Sequence, residues 1–257
     1  MRLDGRKAVV TGGSRGIGWA VSKALAEAGA SVFVAARDEA RAARAARQLH
    51  AEFGAEAASH PVDVADADSV TACARAVEDR FGPVDILVNN AGVAHSAPIT
   101  RLDPADWNRV LAVNATGTFL CTRAFLPAML ERGWGRVVNV ASTAGVDGAR
   151  YIAAYAASKH AVVGFTRCVA MEVEGRGVTV NAVCPGFVDT DLTQASIARI
   201  VEQTGRSEEE ARDLLERENA SGRLLDPEEV AGVIIGLCAE EAAAINGQAI
   251  LVDGEDS

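Results

Sequence analysis

Tyr155 and Lys159 stand four residues apart in Tyr155-Ala156-Ala157-Ser158-Lys159, with Ser142 a short distance upstream. A spacing of four puts two side chains on one face of a helix. A free phenol titrates near ~10 and exchanges its proton poorly at neutral pH, but an adjacent ammonium favours the phenolate. Tyr155 beside Lys159 therefore reads as a general acid or base, and Ser142 as a hydroxyl that hydrogen-bonds the same reacting oxygen. Alone, each signal is weak. Tyrosine and lysine four apart occur on many surface helices, and a serine after a strand is usually a turn residue. Tyr151, the other of the two tyrosines, has no lysine four residues later and reads as a pocket wall.

What gives the trio weight is its position downstream of a glycine-rich turn, Thr11-Gly12-Gly13-Ser14-Arg15-Gly16-Ile17-Gly18. Glycines here allow positive φ and close backbone approach, and the following helix offers free N–H groups to an anion. Gly12, Ser14, Arg15, Gly16, Ile17 and Gly18 are thus candidates to hold a dinucleotide pyrophosphate. The second strand ends in Ala35-Ala36-Arg37, where an acidic residue would serve an unphosphorylated ribose. A guanidinium pairs instead with a 2′-phosphate, so Arg37, with Arg15, favours NADP, while NAD stays open. Asp38 keeps a ribose role available.

Two further segments should reach the same sheet edge. Asp63 and Val64 end the third strand, where Asp63 suits an adenine amino group. Asn89-Asn90-Ala91-Gly92 follows the fourth, with Asn90, Ala91 and Gly92 small or polar enough to lie along a cofactor and the asparagines also suited to bracing loops. Asn114 is placed on the next helix, where it would support a water relaying protons to Lys159.

The elements that must position these residues alternate along the chain. Strands are expected at Ala8 to Val10, Ser31 to Val34, Pro61 to Val64, Ile86 to Asn89, Val137 to Val140, Val178 to Asn181 and Ala249 to Val252. Helices are expected at Ile17 to Ala28 and Glu39 to Phe53, with more between the later strands. Continuous apolar strands alternating with helices imply an α/β fold: one doubly wound Rossmann-type domain over residues 1–257, with a seven-stranded parallel sheet covered by helices on both faces. The segment from about 189 to 222, with a charged helix at Glu208 to Glu218, breaks the rhythm and reads as a substrate lid above the strand ends.

Composition narrows the classes further. A formal charge of −10 and a pI near 5.0 argue against nucleic acid or an anionic membrane as partner. Five dispersed cysteines without a CxxC pair predict reduced thiols, no disulfide frame and no metal site. The amino terminus lacks a signal-peptide pattern and no run approaches the ~18 apolar residues of a membrane span. A cytoplasmic enzyme is expected, and apolar helices after strands four and five suggest a homo-oligomer. A dinucleotide-binding sensor without chemistry would lack the tyrosine or the lysine, and both are present.

Taken together, TGGSRGIG at 11–18, Asp63, NNAG at 89–92, Asn114, Ser142, YAASK at 155–159 and Pro185-Gly186 followed by Thr190 resemble the short-chain dehydrogenase/reductase family over nearly the whole chain. Within it the chain is similar to bacterial β-ketoacyl thioester reductases and aromatic polyketide ketoreductases. The resemblance implies a catalytic set of Asn114, Ser142, Tyr155 and Lys159. It also implies cofactor contacts at Pro185, Gly186, Val188 and Thr190, with Val188 and Thr190 at the nicotinamide carboxamide. Tyr155 and Lys159 would touch the cofactor as well, and the assembly would be a homotetramer or homodimer. The implied reaction is reduction of a ketone by NADPH, the carbonyl free or thioester-linked. The alternative is oxidation of a hydroxyacyl thioester, a 3-hydroxy acid or an alicyclic or aromatic alcohol. Val93-Ala94-His95 lacks the glycine pair usual in the polyketide enzymes, and Glu255 stands where a second glycine is common, a departure expected to alter subunit contacts.

Overall fold

The computed structural model describes residues 2–254; Glu255 lies outside the described residues. Seven parallel strands form one sheet in the order β3-β2-β1-β4-β5-β6-β7. These are β1 (Lys7–Thr11), β2 (Ser31–Ala36), β3 (Ala57–Pro61), β4 (Ile86–Asn89), β5 (Gly135–Val140), β6 (Val178–Pro185) and β7 (Ala249–Val252). The order reverses between β1 and β4, which opens a crevice at their carboxyl ends.

Strand periodicity divides the apolar residues between two layers. Val10, Val32, Val34, Ile86 and Val88 pack under the helices α1 (Gly16–Glu27), α2 (Glu39–Phe53) and α9 (Pro227–Cys238). Their neighbours Val9, Phe33 and Leu87 face the opposite layer, with α3 (Ala67–Phe81), α5 (Gly117–Arg132) and α6 (Ala153–Glu172). Each face buries an apolar set, which is why the strands read as continuous hydrophobic runs. The doubly wound α/β architecture expected from the alternation is the one observed.

Two expectations need correction. The third strand is Ala57–Pro61, so Asp63 and Val64 lie past its end. It pairs only with β2 and all five residues are half-buried; a short edge strand of small and polar residues lacks the apolar signature that Val62 and Val64 mimic. Asn114 does not sit in a regular helix. It falls in a wide-turn segment, Ala112–Thr116, with π-type hydrogen bonding between α4 (Pro104–Leu111) and α5, a device found mostly as single turns at functional sites.

The segment above the strand ends holds two helices, α7 (Asp191–Thr204) and α8 (Glu208–Glu216). Ile197, Ala211, Leu215 and Leu224 give it a small core of its own. A reciprocal cap in which Ser207 accepts from the Glu210 amide, and Glu210 from the Ser207 amide, starts α8.

Candidate active site

The crevice at the switch point is a cleft of about 570 Å³, and nearly every residue singled out in the sequence lines it. From the glycine turn come Gly12, Ser14, Arg15, Gly16 and Ile17; from the end of β2, Arg37; from beyond β3, Asp63 and Val64. Asn90, Ala91 and Gly92 follow β4, while Ser142, Tyr155 and Lys159 enter from β5 and α6. Pro185, Gly186, Val188 and Thr190 close the wall. Of the candidates, Gly18 and Asn114 stand behind the lining.

Gly12 adopts φ +64°, a conformation that favours glycine. Gly18 is needed for closeness: a Cβ there would lie 2.3 Å from the Gly12 carbonyl oxygen and 2.4 Å from Asn90 Nδ2. Asn90 ties the turn down by donating from Nδ2 to the carbonyls of Thr11 (2.9 Å) and Gly12 (3.2 Å). Helix α1 begins with neither a capping side chain nor an acidic residue in its first turn, which leaves its positive end available to an anion. The chain therefore forms a cradle that fits a dinucleotide pyrophosphate.

Asp63 turns one carboxylate oxygen back to the Ala65 amide (3.0 Å), an Asx turn that fixes it at the rim. At the same end Arg37 is exposed, and among the described residues no carboxylate lies within ion-pair distance of it. Arg41, in the first turn of α2, also lines the cleft. Sequence reading passed over it, and no spacing rule links it to Arg37, which precedes the Asp38 cap of α2 and is not helical.

At the other end Lys159 is buried and donates from Nζ to the Val140 carbonyl at 2.7 Å. Burial pulls its pKa down to about 8. Tyr155 moves the other way: burial raises its pKa, and a hydrogen bond with Ser142 works against that rise. The sequence assigned the lowering of the tyrosine to Lys159; in the protein alone, Ser142 is the group that exerts it. Lys159 Nζ stands 5.7 Å from the Tyr155 ring centroid and gives one of its three donors to a backbone carbonyl. Ser142 Oγ also accepts from the Ala144 amide, starting a turn that sets the hydroxyl's direction.

Asn114 is 1% exposed and clamps the Val93 backbone, accepting from its amide and donating to its carbonyl, both at 2.9 Å. Its Nδ2 also donates to Ser158 Oγ at 2.9 Å, which fixes α6 against the loop after β4. Ser158 was another unrecognised member. A Cβ placed on Gly92 would lie 3.4 Å from Asn114 Oδ1 and 3.7 Å from Lys159 Nζ, so the two groups border one small gap.

Asn89 is a brace. Its Nδ2 donates to Thr122 Oγ1 and Asn139 Oδ1, and Asn139 in turn donates to Thr166 on α6. Beyond β6, Val188 pairs with Leu225, and its carbonyl accepts from Thr193 Oγ1 at 2.6 Å and Thr190 Oγ1 at 3.3 Å. The wall near Thr190 is thereby joined to the segment carrying α7. Among the described residues no cluster of three potential metal ligands occurs and no helix is long and apolar enough to cross a membrane.

A switch-point cleft with a glycine cradle at one end and a hydroxyl, a phenol and an ammonium at the other defines a dinucleotide-dependent oxidoreductase. Comparison with known proteins narrows the class. The family profile described as short chain dehydrogenase matches residues 6–200. D-beta-hydroxybutyrate dehydrogenase of Cupriavidus necator is 38% identical over 98% of this chain and 98% of its own length. A putative ketoacyl reductase of Streptomyces coelicolor is 41% identical over 98% of this chain and 97% of its own. The 3-oxoacyl-(acyl-carrier-protein) reductase FabG of Vibrio cholerae is 39% identical, covering 99% and 98%. Among solved structures, an actinorhodin polyketide ketoreductase variant with NADPH superposes with a TM-score of 0.93 at 40% identity, covering 99% of this chain and 98% of that one. The chain belongs to the short-chain dehydrogenase/reductase family and is an oxidoreductase acting on carbonyl or CH–OH groups.

Proposed function

We propose that this protein reduces a ketone with NADPH, and that the substrate is a β-ketoacyl thioester or a related carbonyl. The observation that carries the reading is the cleft itself: Arg15, Arg37 and Arg41 line one end, and Ser142, Tyr155 and Lys159 line the other. Ketoacyl reductases recur among the similar proteins, in line with this direction.

When bound, the reduced nicotinamide supplies a hydride to the carbonyl carbon. The protein's own groups handle the oxygen. Ser142 and Tyr155 donate hydrogen bonds to it, which polarises the carbonyl and fixes its plane. The phenol then gives up its proton to the oxygen as negative charge develops there. Its raised pKa keeps it protonated across the neutral range, the state a donor must be in at the start. Lys159 has a buried ammonium within reach of the tyrosine ring, and it stabilises the phenolate left behind. In this reading Asn114 Oδ1 holds a water beside Lys159 that returns the proton, which the small gap the two groups border at Gly92 supports. The glycine cradle, with Gly12, Ser14, Gly16 and Ile17, takes the pyrophosphate. Asp63 and Val64 take the adenine, and Asn90, Ala91 and Gly92 the ribose side. Pro185, Gly186, Val188 and Thr190 take the carboxamide end.

Oxidation of a hydroxy acid or alcohol is the reverse of this reaction and is the less favoured direction, because the arginines at the adenosine end match the phosphorylated cofactor. A homodimer or homotetramer in the cytoplasm completes the proposal. Phe119, Met171, Ile245 and Leu251 are large apolar residues left exposed, the last of them on the edge strand β7. The test is a panel of β-ketoacyl thioesters and simpler ketones followed at the nicotinamide absorbance with NADPH and NADH in parallel, alongside light scattering for mass. No turnover of any ketone with either cofactor overturns the reaction, equal rates with NADH overturn the cofactor preference, and a monomeric mass overturns the assembly.

A further inference from the structure

The adenosine end of the cleft holds three arginines and two carboxylates. Arg15 enters from the glycine turn, Arg37 from the end of β2 and Arg41 from the first turns of α2; Asp38 and Asp191 face them, and all five line the cleft. Asp191 is the first residue of α7, and so belongs to the segment above the strand ends. It reaches back across the cleft mouth: its Oδ2 lies 3.3 Å from Arg15 Nη1 and 3.8 Å from Arg41 Nη1. Arg41 also meets Asp38 Oδ2 at 3.7 Å, and Asp38 caps α2 by accepting from the Arg41 amide. Arg37 alone of the three has no carboxylate partner among the described residues.

We propose that Asp191 occupies the place of the cofactor's 2′-phosphate, holding Arg15 and Arg41 until the phosphate displaces it, so that Arg41 is a third phosphate ligand and Asp191 a determinant of cofactor selectivity. The inference rests on the NADP reading. One carboxylate oxygen placed between guanidinium groups from two different elements is the arrangement a phosphate oxygen takes at such a site. A 2′-phosphate carries roughly −1.5 to −2 charges, so it outcompetes a single carboxylate for two arginines. It cannot share them closely with that carboxylate, because two anions at a few ångströms repel.

Two consequences follow from the exchange. Asp191 opposes binding of the phosphorylated cofactor, since its ion pairs must break first, and it leaves a cofactor without the phosphate untouched. Once displaced, the first turn of α7 loses its tie to the glycine turn, so phosphate recognition at one end of the cleft loosens the element that overhangs it. The side chains are exposed, and the size expected is that of exposed ion pairs.

The experiment compares 2′,5′-ADP with 5′-AMP, ligands that differ only in the phosphate, by calorimetry on the whole protein and on Asp191→Asn and Arg41→Gln variants. Asp191→Asn is expected to tighten 2′,5′-ADP by about two- to fivefold, and Arg41→Gln to weaken it by a similar factor, with 5′-AMP unchanged in both. Hydrogen exchange gives the second readout: 2′,5′-ADP should speed exchange in the first turn of α7 in the wild type, and 5′-AMP should not. Asp191→Asn weakening 2′,5′-ADP, or shifting both ligands alike, overturns the inference, as does protection of α7 by 2′,5′-ADP. Failure of the wild type to prefer 2′,5′-ADP overturns the NADP reading itself, an outcome separable from the others because it needs no variant.

Discussion

Lys159 shares a face of α6 with Tyr155, yet its ammonium donates to the Val140 carbonyl at 2.7 Å and stands 5.7 Å from the tyrosine ring centroid. In the proposed mechanism the lysine therefore acts on the phenolate through space, and only while charged. Burial holds its pKa at about 8, against 10.5 for a free lysine. Below about 8 the ammonium is present, and above it the site loses the positive charge that stabilises a phenolate. The kcat/KM for NADPH in ketone reduction, which reports ionisations of the free enzyme, is therefore expected to fall as pH rises through about 8, while a phenol whose pKa is raised stays protonated. A pH–rate profile flat from 7 to 10 would remove Lys159 from this role.

Tyr155→Phe removes the proton donor and keeps the ring. Single-turnover reduction is expected to slow by about 10²- to 10⁴-fold, the range of general acid catalysis. The loss should appear in kcat, with cofactor affinity, read by fluorescence titration, changed far less. A variant retaining most of its rate would mean that Ser142 or a water supplies the proton.

Much of this site was legible because its residues are carried by short contiguous motifs, whose spacing has a direct geometric meaning. Gly12 to Gly18 must turn between a strand and a helix, and Tyr155 and Lys159 must share a helical face. What escaped was set by contacts distant in sequence. Asn114 was placed as a helical residue holding a water, but its clamp on Val93 and Ser158 depends on the packing of three separate segments. The hydrogen bonds of Lys159 and the link from Asp191 to Arg15 join elements that no local pattern relates. The β3 boundary failed for a simpler reason, since Ala57-Ala58-Ser59-His60 has no alternation to detect and the apolar pair Val62 and Val64 lies just outside it.

Gly92→Ala probes the gap that Asn114 and Lys159 share. The added methyl would sit 3.4 Å from Asn114 Oδ1 and 3.7 Å from Lys159 Nζ, close enough to exclude a water without forcing the backbone apart. The expected result is a lower kcat with little change in melting temperature, and a solvent isotope effect on kcat larger than that of the wild type, as proton return becomes slower. An unchanged kcat would show that no water in that gap carries protons.

Stability should decline on the alkaline side for a reason unconnected with catalysis. Burial raises the thiols of Cys73, Cys121 and Cys238 from 9.0 to about 11, 12 and 12. Above about 9 the unfolded chain releases these protons while the folded chain retains them, so the unfolded state gains with each step of pH. Lys159 acts in the opposite sense between about 8 and 10.5, where folding releases its proton, but it is one group against several, since burial also raises Cys184 and Tyr155. Melting temperature is expected to fall between pH 9 and 11, and less steeply in Cys238→Ala. A slope unaffected by that substitution would assign the alkaline loss elsewhere.

Gly18→Ala and Gly232→Ala make the same chemical change at two exposed-or-buried extremes of helix packing, and they should differ in sign. Both glycines are helical with ordinary negative φ, so neither substitution strains the backbone. At Gly232 on α9 nothing lies within 4 Å of the new methyl, and replacing a flexible residue in a helix should stabilise by about 0.4–1 kcal/mol. At Gly18 the methyl meets the Gly12 carbonyl at 2.3 Å and Asn90 Nδ2 at 2.4 Å, neither of which is a loose end. Asn90 is hydrogen-bonded to Thr11 and Gly12, and Gly12 is held by its amide to the Ala35 carbonyl at 2.7 Å. The turn must open, at a cost of about 1–3 kcal/mol typical of overpacking. Because the displaced atoms form the cradle, NADPH affinity should fall together with melting temperature, whereas in Gly232→Ala affinity should hold as stability rises. Gly18→Ala that binds NADPH as tightly as the wild type would show that the cradle tolerates the wider turn and that close packing at Gly18 serves the fold alone.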